Sequence, residues 1–148
     1  MLKQFVVFQL EDELYGVDIH QVIRIEKMLP LTRVPNAPAF VMGVCNLRGS
    51  VIPVIDLKKR LALPSRQDEN AKIIIVNVGK QVVGMTIDST VDVSSIQSDE
   101  IEPSPTLVTG IDAQFIQGVA KLSNRLLIIL DMERVLTVDQ LNVLENMD

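Results

Sequence analysis

Short apolar runs alternate along this chain with clusters of turn-forming residues, at a spacing too tight for a helical protein. "FVVF" (5–8), "KIIIV" (72–76) and "LLIIL" (126–130) carry apolar residues at consecutive positions. Separated by "LEDE", "VGK", "RG" and "SN", such β-branched runs predict strands joined by hairpins, with Gly or Asn available for the positive φ of a tight turn. Consecutive apolar positions imply burial on both faces, which suits small closed barrels or two packed sheets better than one open sheet. Short helices are predicted where Asp56 and Asp131 stand as N-caps ahead of "LKKRLAL" and "MERVLT". A last amphipathic turn or two carries Leu141, Leu144 and Met147 on one face.

The pattern occurs twice. At an offset of 68 residues, "FVVFQLEDELYGVDIHQVIRI" (5–25) lies over "IIIVNVGKQVVGMTIDSTVDV" (73–93) without a gap. At an offset of 75, "FVMGVCNLRGSVIPVIDLKKRL" (40–61) lies over "FIQGVAKLSNRLLIILDMERVL" (115–136), so that Phe40, Gly43, Val44, Leu47 and Asp56 recur as Phe115, Gly118, Val119, Leu122 and Asp131. The proline-rich connectors "LPLTRVPNAP" and "IEPSPTLVTG" correspond too. Two similar five-stranded barrels follow, 1–66 and 67–148, the second with the C-terminal helix and the polar "LPSRQDENA" (63–71) between them. About 65 residues is marginal for an independent fold, so an apolar seam shared by the halves is expected, with exchange of strands between them left open.

Composition narrows the function. A net charge of −5 and 3% aromatic residues argue against nucleic acid, which demands a basic face and stacking platforms. Cys45 is the sole cysteine, so no internal disulfide forms, and no apolar stretch approaches the ~18 residues of a membrane helix. The N-terminal apolar run is too short for a signal peptide, and a cytoplasmic protein is expected. His20 and Cys45 are the only residues of their types, and their counterparts in the other half are Asp88 and Ala120. One histidine and one cysteine do not make a common zinc site, "VMGVCNLRG" lacks the lysine and spacing of a phosphate loop, and the carboxylates of "LEDEL" and "SDEIE" read as solvated turns. No catalysis, metal or cofactor is expected. A mean hydropathy of +0.28 leaves room for apolar patches that meet partners, beside two cores and a seam.

"YGVDI", "VIRI", "PNAPAFVMGVCNLRG", "VIPVIDL", "VVGMTID" and "LLIILD" come in an order that resembles the CheW family of chemotaxis coupling proteins across nearly the whole chain. The resemblance implies two SH3-like five-stranded barrels in one CheW-like domain, and a non-enzymatic adaptor joining chemoreceptor cytoplasmic tips to the regulatory domain of a histidine kinase. It would sit at membrane-bound receptor arrays through its partners, without inserting into the membrane itself. Two alternatives remain open: the same coupling in a kinase pathway other than chemotaxis, and a small-ligand-binding barrel.

Site residues follow from the matching motifs. Arg48 occupies the arginine of "NLRG" where the second half has Ser123, and a residue kept in one copy only suits a partner better than the fold. Its planar donor fork on an apolar stem fits an interface. The resemblance assigns it to the receptor, together with Val22, the nearby Ile19, and Val93 in the corresponding segment of the second barrel. Met42 and Gly43, on the approach to the hairpin, and Arg24 are assigned to the kinase. Arg24 stands where the family often has glutamate, with Glu26 two positions on. Gly43 recurs as Gly118, which points to backbone geometry as its main work.

Overall fold

The computed structural model describes residues 1–64, 70–103 and 113–136. The predicted C-terminal amphipathic turns at 141–147, most of the 63–71 connector and much of 101–110 lie outside the described residues. Among the described residues ten strands form: β1 (Leu2–Leu10), β2 (Glu13–Asp18), β3 (Val22–Lys27), β4 (Val41–Leu47), β5 (Ser50–Asp56), β6 (Lys72–Val78), β7 (Gln81–Ile87), β8 (Ser89–Gln97), β9 (Ile116–Leu122) and β10 (Arg125–Leu130). Two one-turn helices follow β5 and β10, α1 (Leu57–Arg60) and α2 (Met132–Val135). Asp56 and Asp131 cap them, their carboxylates accepting from the backbone N–H of Lys59 and Arg134.

Each of the four predicted turns closes an antiparallel pair: β1–β2, β4–β5, β6–β7 and β9–β10. The repeat survives in space, with β1 to β5 matched by β6 to β10, but neither sheet is made from one half. The strand orders are β8-β1-β2-β10-β9 and β3-β6-β7-β5-β4. Each half's first hairpin is therefore flanked on both sides by strands of the other half, through the antiparallel pairs β1–β8 and β3–β6 and the parallel pairs β2–β10 and β5–β7. Segments 1–66 and 67–148 are repeats of sequence, and each sheet draws on both.

Three apolar clusters account for the doubly buried runs. The first sheet encloses Phe5, Val7, Leu14, Ile96, Ala120, Leu127 and Ile129, contributed by all five of its strands. The second encloses Cys45, Ile52, Val54, Ile73 and Ile75. The largest cluster lies between the sheets and takes the alternate residues of the same strands, Val6, Phe8 and Leu10 facing Ile74, Val76 and Met85. A strand such as "FVVF" faces a barrel core on one side and the seam on the other, so every position is apolar.

The connectors lie close over the barrels. Thr32 exchanges two backbone hydrogen bonds of 2.8 Å with Val44, and Glu102 does the same with Val119. These bridges pass directly over Gly43 (φ +152°) and Gly118. A Cβ on Gly43 would collide with the Thr32 carbonyl, and one on Gly118 would come within 2.6 Å of Ile101 Cγ2. The shared glycine is a clearance for the shared bridge.

Candidate functional site

The β4–β5 turn holds Arg48 (φ 54°) and Gly49 (φ 86°), both left-handed, between the paired Leu47 and Ser50. Gly49 N–H donates to the Asn46 side chain at 3.0 Å, closing the turn. That geometry projects Arg48 into solvent at the rim of an open groove of 420 Å³. Arg24, from edge strand β3, lines the same groove, with Val51 at the base of the hairpin and Val82 at the start of β7. Val51 is 64% exposed and Ile23, beside Arg24, 50% exposed.

Strand β3 reverses the usual amphipathic order. Arg24 and Glu26 are half-buried and ion-paired at 3.3 Å, while Ile23 and Ile25 are exposed, along with Lys27 at the strand's end. A bulge between Val22 and Arg24, where β3 pairs with β6, adds Ile23 to the exposed side. Inward-turned charge on an edge strand discourages further strand pairing, and outward isoleucines leave a patch suited to a partner's side chains.

The other candidates separate into groups. Ile19, in the 3-10 turn Ile19–Gln21, and Val22 after it are half-buried against the seam, where the chain crosses from the first sheet to the second. Val93 lies on β8, an edge of the first sheet, and is 46% exposed. At the 68-residue offset its counterpart is Ile25, whereas Val22 corresponds to Thr90. Met42 lines a second open hollow, formed with the 33–41 connector, and Gly43 is buried under the Thr32 bridge. The structure thus brings Arg48 and Arg24 together and holds Met42, Gly43 and Val93 elsewhere. Ile23, Ile25, Val51 and Val82 were not anticipated. The charges alternating with isoleucines in "VIRIEK" were the available signal, but alternation alone does not tell which set faces inward.

His20 and Cys45 do not meet in a reactive pair. His20 sits on the exposed crossover with Nδ1 3.0 Å from Asp18 Oδ1. Cys45 is in the core of the second sheet, where burial pushes its thiol pKa up and disfavours the thiolate. Among the described residues no group of three His, Cys, Asp or Glu could hold a metal. No helix among them is long and apolar enough to cross a membrane.

Known proteins share this fold. Residues 4–140 match the family described as the CheW-like domain. The chain belongs to the CheW family. It is 35% identical over 145 residues to the chemotaxis protein CheW of Klebsiella aerogenes, covering 97% of this chain and 87% of that protein. The chemotaxis protein CheW of Bacillus subtilis is 38% identical over 135 residues, covering 90% and 86%. Among solved structures, the scaffolding protein TtCheW from Thermoanaerobacter tengcongensis superposes with a TM-score of 0.86 at 40% identity, over 95% of this chain and 91% of that one. CheW proteins are non-enzymatic scaffolds of chemotaxis, and this chain shares their two-part, mainly β architecture.

Proposed function

We propose that this protein is a chemotaxis adaptor that couples the cytoplasmic tips of chemoreceptors to the regulatory domain of a histidine kinase, in the cytoplasm at receptor arrays. The observation that carries this reading is the groove shared by Arg48 and Arg24, walled by exposed Ile23, Val51 and Val82. Apolar surface ringed by guanidinium groups and left in water is the composition of a protein-binding patch. Arg48, with Ile19, Val22 and Val93 on the two edge strands and the crossover, forms the receptor-facing set. Arg24, Met42 and Gly43 form the kinase-facing set. Arg24 and Arg48 share a groove, so the two partners approach each other closely there.

Such an adaptor performs no chemistry. Individually modest contacts become firm when two partners are held at once, and output follows the differential affinity of the assembly for the kinase's active and inactive states. The test is titration of the purified protein with a receptor signalling tip and, separately, with a kinase regulatory domain. Both bind if the reading is right; binding to neither overturns it.

A further inference from the structure

Helix α1 is one turn long, yet it carries two charged anchors between its own half and the other; a third, from Arg125 to the Asp12 carbonyl, ties β10 to the β1–β2 turn within the first sheet. Lys58, almost fully buried, places Nζ 2.8 Å from Asp88 Oδ1 and 3.4 Å from Glu11 Oε1. The other Asp88 oxygen accepts from the Glu11 N–H at 2.6 Å, and the Asp88 N–H donates to the Gln9 carbonyl at 3.0 Å. Asp88 is the single residue between β7, in one sheet, and β8, in the other. The ammonium therefore grips the chain where it passes between the barrels.

Two residues on, Arg60 donates from Nε to the Val135 carbonyl of α2. Its guanidinium carbon lies 4.6 Å from the ring centre of Phe115 and 5.2 Å from that of Phe40, the two phenylalanines that correspond in the repeat. Among the described residues, α2 carries no such pair of cations. Lys58 corresponds to Glu133, which is exposed, and Arg60 to Val135, which is buried and apolar. The other crossover is unlike Asp88: His20 occupies the matching position, exposed, with its backbone N–H and its Nδ1 both on Asp18 Oδ1.

We infer that α1 is a clamp that fixes the angle between the two barrels, with Lys58 gripping the second crossover and Arg60 pinning the two phenylalanines. An apolar seam is non-directional and tolerates sliding, whereas a buried, hydrogen-bonded charge has one satisfied arrangement and is costly to displace. The clamp makes the exposed strands β3 and β8, one on each sheet, a single rigid surface, while the Asp18–Val22 crossover stays free of buried charge. The inference concerns the joint and stands apart from the identity of any partner.

The test replaces Lys58 with Met and Asp88 with Asn, together and singly, the asparagine keeping an oxygen for the Glu11 N–H. Nitroxide labels at exposed Asn77 on β6 and Ser95 on β8, in a Cys45→Ala background, report the distance between sheets. The wild type gives one narrow distance distribution. Lys58→Met/Asp88→Asn broadens it and speeds amide exchange at Glu11 and Asp88 about a hundredfold, with the far-UV spectrum unchanged; Lys58→Arg stays narrow. If the double variant unfolds, Asp88→Asn alone is read in the same way. An unchanged distribution in a folded variant overturns the clamp, whatever the partners bind.

Discussion

Arg48 sits at the first of two left-handed positions in a two-residue hairpin turn, a backbone that prefers Asn-Gly. Arginine there costs on the order of 1 kcal/mol against a residue at ease with positive φ. Arg48→Asn is therefore expected to raise unfolding free energy by up to about 1 kcal/mol in urea titrations, while weakening receptor-tip binding. Arg48→Ser imports the residue that holds the same φ at Ser123. Its stability should stay within about 0.5 kcal/mol of wild type, and affinity for the receptor tip should fall roughly tenfold or more, as for an interfacial arginine anchor. Unaltered binding by both variants removes Arg48 from the contact set. The arginine's asymmetry was visible in the sequence, because the repeat supplies its own control. Its company was not, since "VIRIEK" does not tell which face Ile23 takes until the bulge in β3 is known, and nothing in the apolar runs around Val51 and Val82 marks those two as exposed.

At the scale of elements, the turns and doubly buried runs were legible because both depend on neighbours in sequence. "LEDE", "RG", "VGK" and "SN" each close a pair, and "FVVF" and "KIIIV" are buried at every position from Phe5 to Phe8 and from Ile73 to Val76. The glycine pair was legible as a backbone requirement, but the Thr32 and Glu102 bridges that impose it were not, as each rests on one long-range contact. Gly43→Ala would force the Thr32 carbonyl away and break both bonds to Val44. A loss of about 2–4 kcal/mol in denaturant titrations is expected, and a loss below 1 kcal/mol would show that the connector moves freely. Arg24 illustrates the limit of reading by residue type: an inward-facing charge, paired with Glu26, occupies a strand position where pattern alone would place an isoleucine.

At the scale of the molecule, three buried groups among the described residues make stability fall on the alkaline side. Burial, aided by the charge of Glu13, pushes Tyr15 up to about 12. Burial pushes Cys45 up as well. For Lys58, burial acts downward, but the hydrogen bonds and charges of Asp88 and Glu11 outweigh it and the net shift is upward. Each raised value means that the unfolded chain releases its proton first, so these contributions are complete at neutral pH and are lost as pH rises. The loss begins near the ordinary thiol value of about 8.5 and steepens above about 10, where the phenol alone accounts for roughly 3 kcal/mol by the time it titrates in the folded state. Denaturation midpoints at pH 7, 9 and 10.5 should decline in that order; a flat profile would mean that these groups are not buried as described. The interleaved strand order has a further consequence. A fragment ending near residue 66 lacks β8 and β10 to flank its β1–β2 hairpin, and one starting near residue 67 lacks β3 and β5 for β6–β7. Expressed apart, the two pieces should be unstructured; mixed, they should reconstitute the native sheets at a rate set by the product of their concentrations, in the manner of a split protein.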